Sequence, residues 1–494
     1  MKRILLYVCL ITSVVMQVKA GGLVTNSNQS ASYYRMLARG TSITGDAVYY
    51  NPAGLAFLDQ GLTVSLNTQM IWMQRTINND FPDLKTHLES PSGNLRNGEF
   101  IGNLYVPVFP GVYAAYKTGD WTFSLGFNPP AGGGSVEFKK GLPMLELPVC
   151  ILPRTITGAG IPTSNYSMNS MLKGSSIVYG VQAGASYRIN DMISVFGGVR
   201  MLFANNSYEG YLKDIKVNPN LTALGLGNFL SGEMIDAAQM NATGDNILAY
   251  ANTLPDPAAS QLRQVGGGLK VIASQIPGLT ELDVVQKGSG IAPIIGVHIN
   301  FGNLNLAAKY EFNAKITIKN ETKKNAMDMY PDGLKLRSDV PALLSLAGSY
   351  DILPALRLSV TFLHHFEPQA TIESWVPPHM YSSSIGTIFP RQDLIKRGTN
   401  EYQAGVEWKI TDKLTLSTGC QYSDVSVTDA WQNDIAHNLD NFTWGLGAAY
   451  QLSDRITLNI GGLYTWYTPV SVASQDQKYD RTNKALAVGI DFKF

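Results

Sequence analysis

Alternating apolar and polar residues dominate the chain after residue 60. In LNLAAKYEFNAKITI, residues 304–318, every second side chain from Leu304 to Ile318 is apolar, and most of those between them are polar. A period of two places these two sets on opposite faces of a β-strand. The same alternation recurs in residues 401–410, 455–467 and 485–494. These runs are longer than the five or six residues typical of a globular strand, which favours a structure built from long strands.

The full pattern predicts fourteen strands. They lie near residues 61–78, 98–117, 120–138, 174–190, 192–217, 288–302, 303–320, 335–351, 354–374, 398–411, 412–428, 438–452, 454–471 and 481–494. Tight turns (KTGD, RIND, FGN, DILP, TDK and LSDR) alternate with longer connections. Short turns at one end and long loops at the other are typical of bacterial outer-membrane barrels, which have an even number of strands.

The first twenty residues predict export. Lys2 and Arg3 precede an apolar run that ends in V-x-A at Ala20, which indicates a signal peptide over residues 1–20. No later apolar run is long enough for a transmembrane helix. Since only a helix or a closed barrel pairs all backbone groups in hydrocarbon, we predict an all-β fold, a 14-stranded antiparallel transmembrane β-barrel. Its predicted location is the outer membrane of a Gram-negative bacterium, as a multi-pass protein.

Composition excludes several other classes. The formal net charge is zero and charged residues make up 15% of the chain, so no basic field for nucleic acid exists. After removal of the signal peptide only Cys150 and Cys420 remain, which form neither a disulfide framework nor a metal site. We expect no cofactor, no metal and no enzymatic activity, and we expect a monomer.

Aromatic residues near the strand ends support a membrane barrel. Six of them are expected at the membrane interfaces: Tyr116, Trp121, Trp408, Tyr450, Trp466 and Tyr467. Phe494 shares a strand face with Phe492 and Ile490, a closing pattern that indicates recognition by the barrel-assembly machinery. Tyr and Trp also pack in soluble β-sandwiches, and a strand can end at Phe without such a role.

A compact break precedes the first strand, in VYYNPAGLAFLDQG, residues 48–61. Pro52 fixes its φ angle and donates no hydrogen bond, while Gly54 permits conformations that other residues avoid. The surrounding RGTSITGDAVYYNPAGLAFL resembles the N-terminal hatch of the long-chain fatty acid transporter (FadL-type) family. The residues that carry this resemblance are Asp46, Ala47, Asn51, Pro52, Ala53 and Gly54. On its own, the break could simply be a loop before the first strand.

The resemblance implies that residues 21–60 fold into the lumen as a hatch, with residues 61–494 forming the barrel. SASYYRMLARG can form a short helix, and Arg35 and Arg39 could bond acidic groups on the lumen face. The family often has small residues where this chain has RMLARG. That departure leaves the packing of the hatch open.

A second feature that the family implies is a lateral opening at a kinked third strand. GFNPPAGGG, residues 126–134, falls within the predicted third strand. Prolines cannot donate ladder hydrogen bonds and glycines leave space unfilled, so an opening is expected at Gly126, Pro129, Pro130, Gly132, Gly133 and Gly134. Alternatively, the strand ends at Asn128. Pro341 in the eighth strand is a weaker break of the same kind.

The longest connection, residues 218–287, has helical spacing instead of alternation. The family resemblance implies that its helices form an extracellular groove that captures substrate. The apolar residues proposed for this groove are Leu230, Ile235, Leu248, Leu262 and Leu269. A helical hairpin that buries these side chains on itself is the alternative.

These features together predict an outer-membrane channel for long-chain fatty acids or other hydrophobic small molecules. Uptake would be passive, gated by the hatch, with lateral exit into the outer-membrane lipid. Strand parity places four cations in the lumen as head-group candidates, Arg200, Lys309, Arg337 and Arg357. Each could instead pair with an acidic neighbour such as Glu311, Asp339, Glu367 or Glu407.

Other outer-membrane classes fit less well. A general porin needs an open lumen, and a TonB-dependent receptor needs a larger plug and more strands. A lipase needs a Ser/His arrangement, and the chain has no Gly-x-Ser-x-Gly motif. An adhesin or structural barrel that binds a partner through an apolar outer loop stays open as the alternative.

Overall fold

The computed structural model describes residues 23, 25–81, 98–276, 278–325, 328–378 and 385–494. The predicted signal peptide lies outside these ranges. The strands are β1 (Gly61–Asn79), β2 (Glu99–Thr118), β3 (Trp121–Phe138), β4 (Thr163–Arg188), β5 (Ile193–Pro219), β6 (Thr280–Phe301), β7 (Leu304–Glu311), β8 (Thr317–Lys324), β9 (Lys335–Arg337), β10 (Leu343–Leu353), β11 (Leu356–His365), β12 (Glu373–Val376), β13 (Thr387–Pro390), β14 (Asn400–Lys409), β15 (Leu414–Asp424), β16 (Asn441–Ser453), β17 (Ile456–Tyr467), β18 (Val470–Val472) and β19 (Gln477–Lys493).

Seventeen of these strands form one closed antiparallel sheet, with β1 paired to both β2 and β19. Three crossings of the wall consist of two strands each. In the first, β7 and β8 both pair with β6. In the second, β9 pairs with β8 and β10 pairs with β7. In the third, β17 and β18 both pair with β19. The wall is therefore crossed fourteen times, which confirms the predicted barrel. β12 and β13 form a separate hairpin.

Several strands are longer than predicted. β4 has 26 residues and β5 has 27, whereas about ten residues cross a bilayer, so the wall continues beyond the membrane. Because β5 runs to Pro219 and β6 begins at Thr280, the long connection covers residues 220–279 instead of 218–287. The predicted strand 354–374 was too long: β11 ends at His365, and Pro368 lies in a 3-10 turn that follows it.

The run from Leu304 to Ile318 changes face, which the alternation did not predict. Leu304 and Leu306 are exposed on the outer wall, but Ile316 and Ile318 are buried inside. The chain leaves the ladder after Glu311, and Ile316 then lies over Gly288 and Gly290 of β6. The absence of side chains on these two glycines allows that close approach.

An apolar belt surrounds the outer wall. On β1 the even-numbered side chains point outward, from Leu62 to Trp72, and they become polar from Gln74 onward. Ten residues at a strand tilt of about 40° span roughly 25 Å, the height of an outer-membrane apolar band. Tyr116, Trp121, Trp408, Tyr450 and Trp466 are exposed on this surface as expected. Tyr467 was assigned wrongly to the interface, because it follows Trp466 by one position and faces the interior.

Helices lie before the barrel and in its connections. They are α1 (Ala31–Arg35), α2 (Ala47–Tyr50), α3 (Pro143–Cys150), α4 (Leu152–Gly158), α5 (Ala237–Ala251) and α6 (Ala258–Gln275), and a 3-10 turn covers Pro52–Phe57. In the part of the chain that the structure describes, no helix combines the length and apolar character needed to cross a membrane.

Candidate functional site

The N-terminal segment, residues 25–60, lies inside the barrel and is almost fully buried. Its centre is Asp46, which receives two hydrogen bonds from Arg39, Nη2 to Oδ1 at 2.8 Å and Nε to Oδ2 at 3.1 Å. The hydroxyls of Ser30 and Thr44 donate to the same carboxylate at 2.8 and 2.7 Å. Burial alone would raise the pKa of Asp46, but the charge and hydrogen bonds of Arg39, with those of Thr44 and Ser30, lower it to about 2.

The Asn-Pro-Ala-Gly turn anchors this segment at the end of the barrel where β3 and β5 begin. Asn51 Nδ2 donates to the carbonyl of Ser42 at 2.9 Å and lies 2.9 Å from His298 Nδ1 in the wall. The carbonyls of Pro52 and Ala53 accept hydrogen bonds from wall serines at 2.7 and 2.8 Å. A Cβ on Gly54 would lie 2.3 Å from Asn51 Nδ2 and 2.9 Å from the carbonyl oxygen of Ser42, so a larger residue would displace both groups.

Arg35 binds an acidic group of the wall, as the sequence suggested, whereas the main acidic partner of Arg39 lies within the segment itself. Arg35 donates to Glu407 of β14 at 2.5 Å and to Asn459 of β17 at 3.2 Å. Arg39 lies 3.9 Å from Glu407 but binds Asp46 more closely. Arg35 therefore holds α1 to the wall, while Arg39 holds the segment together internally.

The wall is interrupted between β2 and β3. Val112 pairs with Phe127 and Asn103 pairs with Glu137, but residues 104–111 and 128–136 between these pairs do not face one another in a ladder. We call this interruption the β2–β3 seam. β3 remains paired with β4 on its other side, through two bulges at residues 128–131 and 132–134. The strand thus continues past Asn128, and the prolines and glycines lie within it.

The prolines and glycines explain why β3 bends here. Pro129 and Pro130 have no N–H to donate to β2. Gly132 and Gly134 have φ angles of +75° and +111°, and a Cβ on Gly132 would lie 2.1 Å from the carbonyl oxygen of Ser176. Residues 128–134 are all buried, and Gly126 lies against Val48 of the N-terminal segment. The kink therefore turns into the barrel.

The N-terminal segment takes the place of β2 along the kink. The amide of Asn26 donates to the carbonyl of Pro130 at 2.8 Å, and its side chain donates to Gly132. Thr25 forms an isolated antiparallel bridge with Ala131, and Asn128 donates to the side chain of Gln29 at 2.9 Å. The segment in the lumen and the interruption in the wall are thus directly hydrogen-bonded to each other.

β2 also contributes to the seam, which was not predicted from the sequence. Pro107 and Pro110 lie in the part of β2 that faces it, and β2 also bulges against β1 between Phe109 and Val106. Two prolines three residues apart in a predicted strand were a visible signal, since proline is confined to edges and bulges. Both edges of the seam therefore lack ladder donors.

The four head-group candidates face partners within the protein. Arg200 pairs with Glu311 and lies over the ring of Tyr49. Lys309 donates to the carbonyl of Tyr49 at 2.7 Å.

The other two candidates pair with nearby aspartates. Arg337 forms a bidentate contact with Asp339, and Arg357 one with Asp351. Glu407, suggested as a partner, binds Arg35 instead. Their role in substrate binding stays a prediction.

A second pair of cations was not singled out from the sequence. Arg75 of β1 and Arg481 of β19 are opposite one another in the ladder, and both are buried. Arg75 donates to the carbonyl of Ile435 at 2.7 Å and Arg481 to that of His437 at 2.6 Å. Cross-strand register, which the sequence alone does not fix, brings the two guanidinium groups together.

The outer connection forms a helical hairpin. α5 and α6 approach closely where Gly244 and Gly266 meet, since a Cβ on either would lie within 3 Å of the other's carbonyl oxygen. Leu230, Ile235 and Leu269 are buried, and Leu248 and Leu262 are partly buried. The apolar faces are therefore largely covered in this structure, as the hairpin alternative describes, and the capture groove stays a prediction.

The architecture defines a class of barrel with an N-terminal segment in its lumen and an interrupted wall. The chain superposes on a Pseudomonas aeruginosa FadL homologue with a TM-score of 0.56 and 15% identity, covering 97% of this chain and 100% of that chain. For the P. putida toluene transporter TodX the TM-score is 0.55, with 15% identity and coverage of 92% and 95%. For the Ralstonia pickettii toluene transporter TbuX it is 0.53, with 15% identity and coverage of 95% and 99%.

The chain therefore has the FadL-type fold, and the resemblance read from the hatch motif is confirmed at the level of the fold. No family model and no curated protein matches the sequence.

Proposed function

We propose that the protein is an outer-membrane channel for the passive uptake of hydrophobic small molecules. The observation that carries the proposal is the combination of a filled lumen with a wall interrupted at the β2–β3 seam. The FadL-type fold and the apolar belt support an outer-membrane location. Two of the similar structures are toluene transporters, which agrees with a hydrophobic substrate.

Residues 21–60 serve as the hatch in this proposal. Their described part is buried in the lumen, with the Asn51–Gly54 turn bonded to β4, β5 and β6. A molecule that enters from the loop end cannot pass axially unless this segment moves. The bonds between Asn26 and the kink mean that the same movement would change the inner border of the seam.

Lateral exit follows from the free energy of the substrate. Removing a methylene group from water is worth about 0.8 kcal/mol, so a ten-carbon tail gains about 8 kcal/mol in an apolar site. Release into an aqueous compartment would forfeit that free energy, whereas release into the bilayer would not. We therefore assign the exit to the β2–β3 seam, between residues 104–111 and 128–136.

Whether the substrate is an acid or a neutral hydrocarbon depends on the lumen cations. Arg200, Lys309, Arg337 and Arg357 already bind protein acceptors, so a carboxylate would have to compete with these contacts. We propose Arg337 and Arg357 as the head-group contacts if fatty acids are carried, because both side chains remain about a third exposed beside their aspartate partners.

Two uptake assays test the proposal. Cells that express the protein should take up labelled long-chain fatty acid or labelled toluene faster than cells with an empty vector. Arg337→Gln should reduce fatty acid uptake and leave toluene uptake unchanged, whereas Lys413→Gln, an exposed control in the turn before β15 at the other end of the wall, should affect neither. Absence of uptake for both compounds, with the protein present at the surface, would contradict the proposed function.

The hatch is tested separately by conductance. Deletion of residues 21–56 should raise the conductance of the purified barrel in planar bilayers, because the buried segment would no longer fill the lumen. Unchanged low conductance would mean that another element closes the pore.

A further inference from the structure

A groove of about 720 Å³ lies across the outer wall at the end of the β2–β3 seam nearest the long loops, which we call its upper end. Adjacent strands contribute an unbroken row of outward side chains, in which Tyr464 pairs with Lys484, Lys484 with Trp72, and Trp72 with Tyr105. The row continues two residues higher, where Asn103 pairs with Glu137 and Glu137 with Lys173. The groove therefore extends from β17 to β4 and passes directly over the seam.

The groove carries an excess of positive charge. Lys139, Lys173 and Lys484 line it and are exposed, with Glu137 as the acidic residue among the lining side chains, while Glu209 of β5 lies opposite Lys173 in the ladder just beyond the groove. Within the described residues, none of the three ammonium groups forms an ion pair with a carboxylate. Elsewhere on the wall the arrangement differs, since Lys287 pairs with Glu321 at 2.8 Å.

The height of the groove matches a lipid head group. Trp72 and Tyr105 stack with ring centroids 5.6 Å apart and mark the upper rim of the apolar belt. Tyr and Trp at such a rim lie at head-group level, with charged side chains above and acyl chains below. A phosphate on the lysines would therefore sit where the polar part of an outer-leaflet lipid is found.

Apolar residues continue downward from the groove along the seam. Val108 of β2 is 63% exposed, and Phe127 of β3, just below the interruption, is 36% exposed. An acyl chain attached to a head group in the groove would lie against these side chains. It would cover the outer mouth of the seam.

We propose that this groove binds the phosphorylated head group of an outer-leaflet glycolipid, whose acyl chain then covers the seam. The binding rests on the outer-membrane location within the proposed function, but not on transport. Trp72 and Tyr105 provide the aromatic floor, and Lys139, Lys173 and Lys484 bind the phosphate groups. The lipid occupies the position through which an exiting molecule would enter the bilayer.

Lipid binding to the full-length protein tests the proposal. The purified protein is mixed with detergent micelles that contain bis-phosphorylated lipid A, dephosphorylated lipid A or phosphatidylethanolamine, and bound lipid is measured by native mass spectrometry. We expect tight binding of the bis-phosphorylated form only. Since each lysine near a charged head group contributes roughly fivefold, the combined substitutions Lys139→Gln, Lys173→Gln and Lys484→Gln should weaken binding roughly 100-fold.

Matched variants separate specific binding from general charge. Lys335→Gln with Lys396→Gln removes two exposed lysines from the opposite side of the barrel and should leave binding unchanged. Replacing the three groove lysines by arginine should retain most of the binding. Retention of gel heat-modifiability would show that each variant barrel is folded.

Three results would overturn the proposal: equal binding by the glutamine variant, equal binding of dephosphorylated lipid A, or complete displacement of the lipid by millimolar inorganic phosphate. The last result would assign the groove to free phosphate. Because no substrate is present in this assay, failed lipid binding and failed uptake are distinguishable outcomes.

Discussion

Converting the kinked part of β3 into a regular strand should close the β2–β3 seam. The register between β3 and β4 indicates which residues to replace. Between the pairs Asn128–Gly180 and Ser135–Ser175, β3 has six residues, Pro129 to Gly134, while β4 has four. Replacing the six by Val-Thr-Leu-Ser would restore one-to-one pairing. The order places Val and Leu outward, opposite the outward positions 179 and 177 of β4, and Thr and Ser inward.

The magnitude of the change follows from the hydrogen bonds involved. Residues 104–111 of β2 would gain a partner strand, which adds about six to eight ladder bonds. About three bonds from the N-terminal segment to the kink would be lost. A net gain of about four bonds at about 1 kcal/mol each predicts a barrel that is more stable by roughly 4 kcal/mol.

Uptake should fall although stability rises. With the lateral route closed, a ten-carbon tail would have to leave through water at a cost of about 8 kcal/mol, which slows exit by more than 10⁵-fold. The assay compares uptake, surface level and ligand retention between wild type and the straightened variant. Asn26→Ala serves as the control, since it weakens the contact between the segment and the kink without closing the seam. Unimpaired uptake in a variant whose crystal structure shows a continuous β2–β3 ladder would refute lateral exit.

The remaining predictions concern the hatch and the outer connections. Asp46→Asn should destabilise the segment by about 2 kcal/mol and raise the conductance in planar bilayers. Because the wild-type pKa of Asp46 lies near 2, below its ordinary 3.8, the stability that the Asp46–Arg39 pair contributes should be constant above pH 4 and be lost only as the pH falls towards 2. Glu146 in α3 is fully buried, which raises its pKa to about 8, so its contribution to stability should be present below about pH 4.5 and be lost as the pH rises through 8. Glu146→Gln should abolish this pH dependence, which amounts to up to about 5 kcal/mol, in thermal unfolding measured across that pH range. Leu269→Ala should destabilise the helical hairpin by about 2–5 kcal/mol and accelerate its proteolysis, whereas the exposed Leu224→Ala should not.

Local patterning was sufficient to predict the barrel, because alternation and turn residues act over a few positions. The number of crossings and most strand positions follow from them, and so does the interruption at Pro341, which lies between β9 and β10. Patterning failed where contacts between residues distant in the sequence determine the direction of a side chain. Ile316 turns inward because Gly288 and Gly290 of another strand leave room for it, and no local property of residues 304–318 contains that information.

The motifs of the site could be recognised in the sequence, but the hydrogen bonds that join them could not. The Pro-Gly run in β3 and the hatch motif around Asp46 were both visible in the sequence. Their link, through Asn26 and Pro130, joins residues about a hundred positions apart and depends on how the segment lies in the lumen. The pairing of Arg75 with Arg481 likewise arises only when β1 meets β19 to close the barrel.

The hydrogen bonds between the N-terminal segment and β3 also offer a reason for the kink in this strand. A continuous β3 would form more hydrogen bonds and a more stable barrel, so stability alone does not account for two prolines on each edge of the seam, Pro107 and Pro110 in β2 and Pro129 and Pro130 in β3. The bonds from Asn26 to the kink satisfy part of the backbone that β2 leaves unpaired. Since those bonds belong to the segment that fills the lumen, movement of the segment would expose the inner edge of β3 at the same time as it opens the axial path. In the proposed function, a substrate that displaces the segment would thereby meet an open route to the bilayer without an external source of energy.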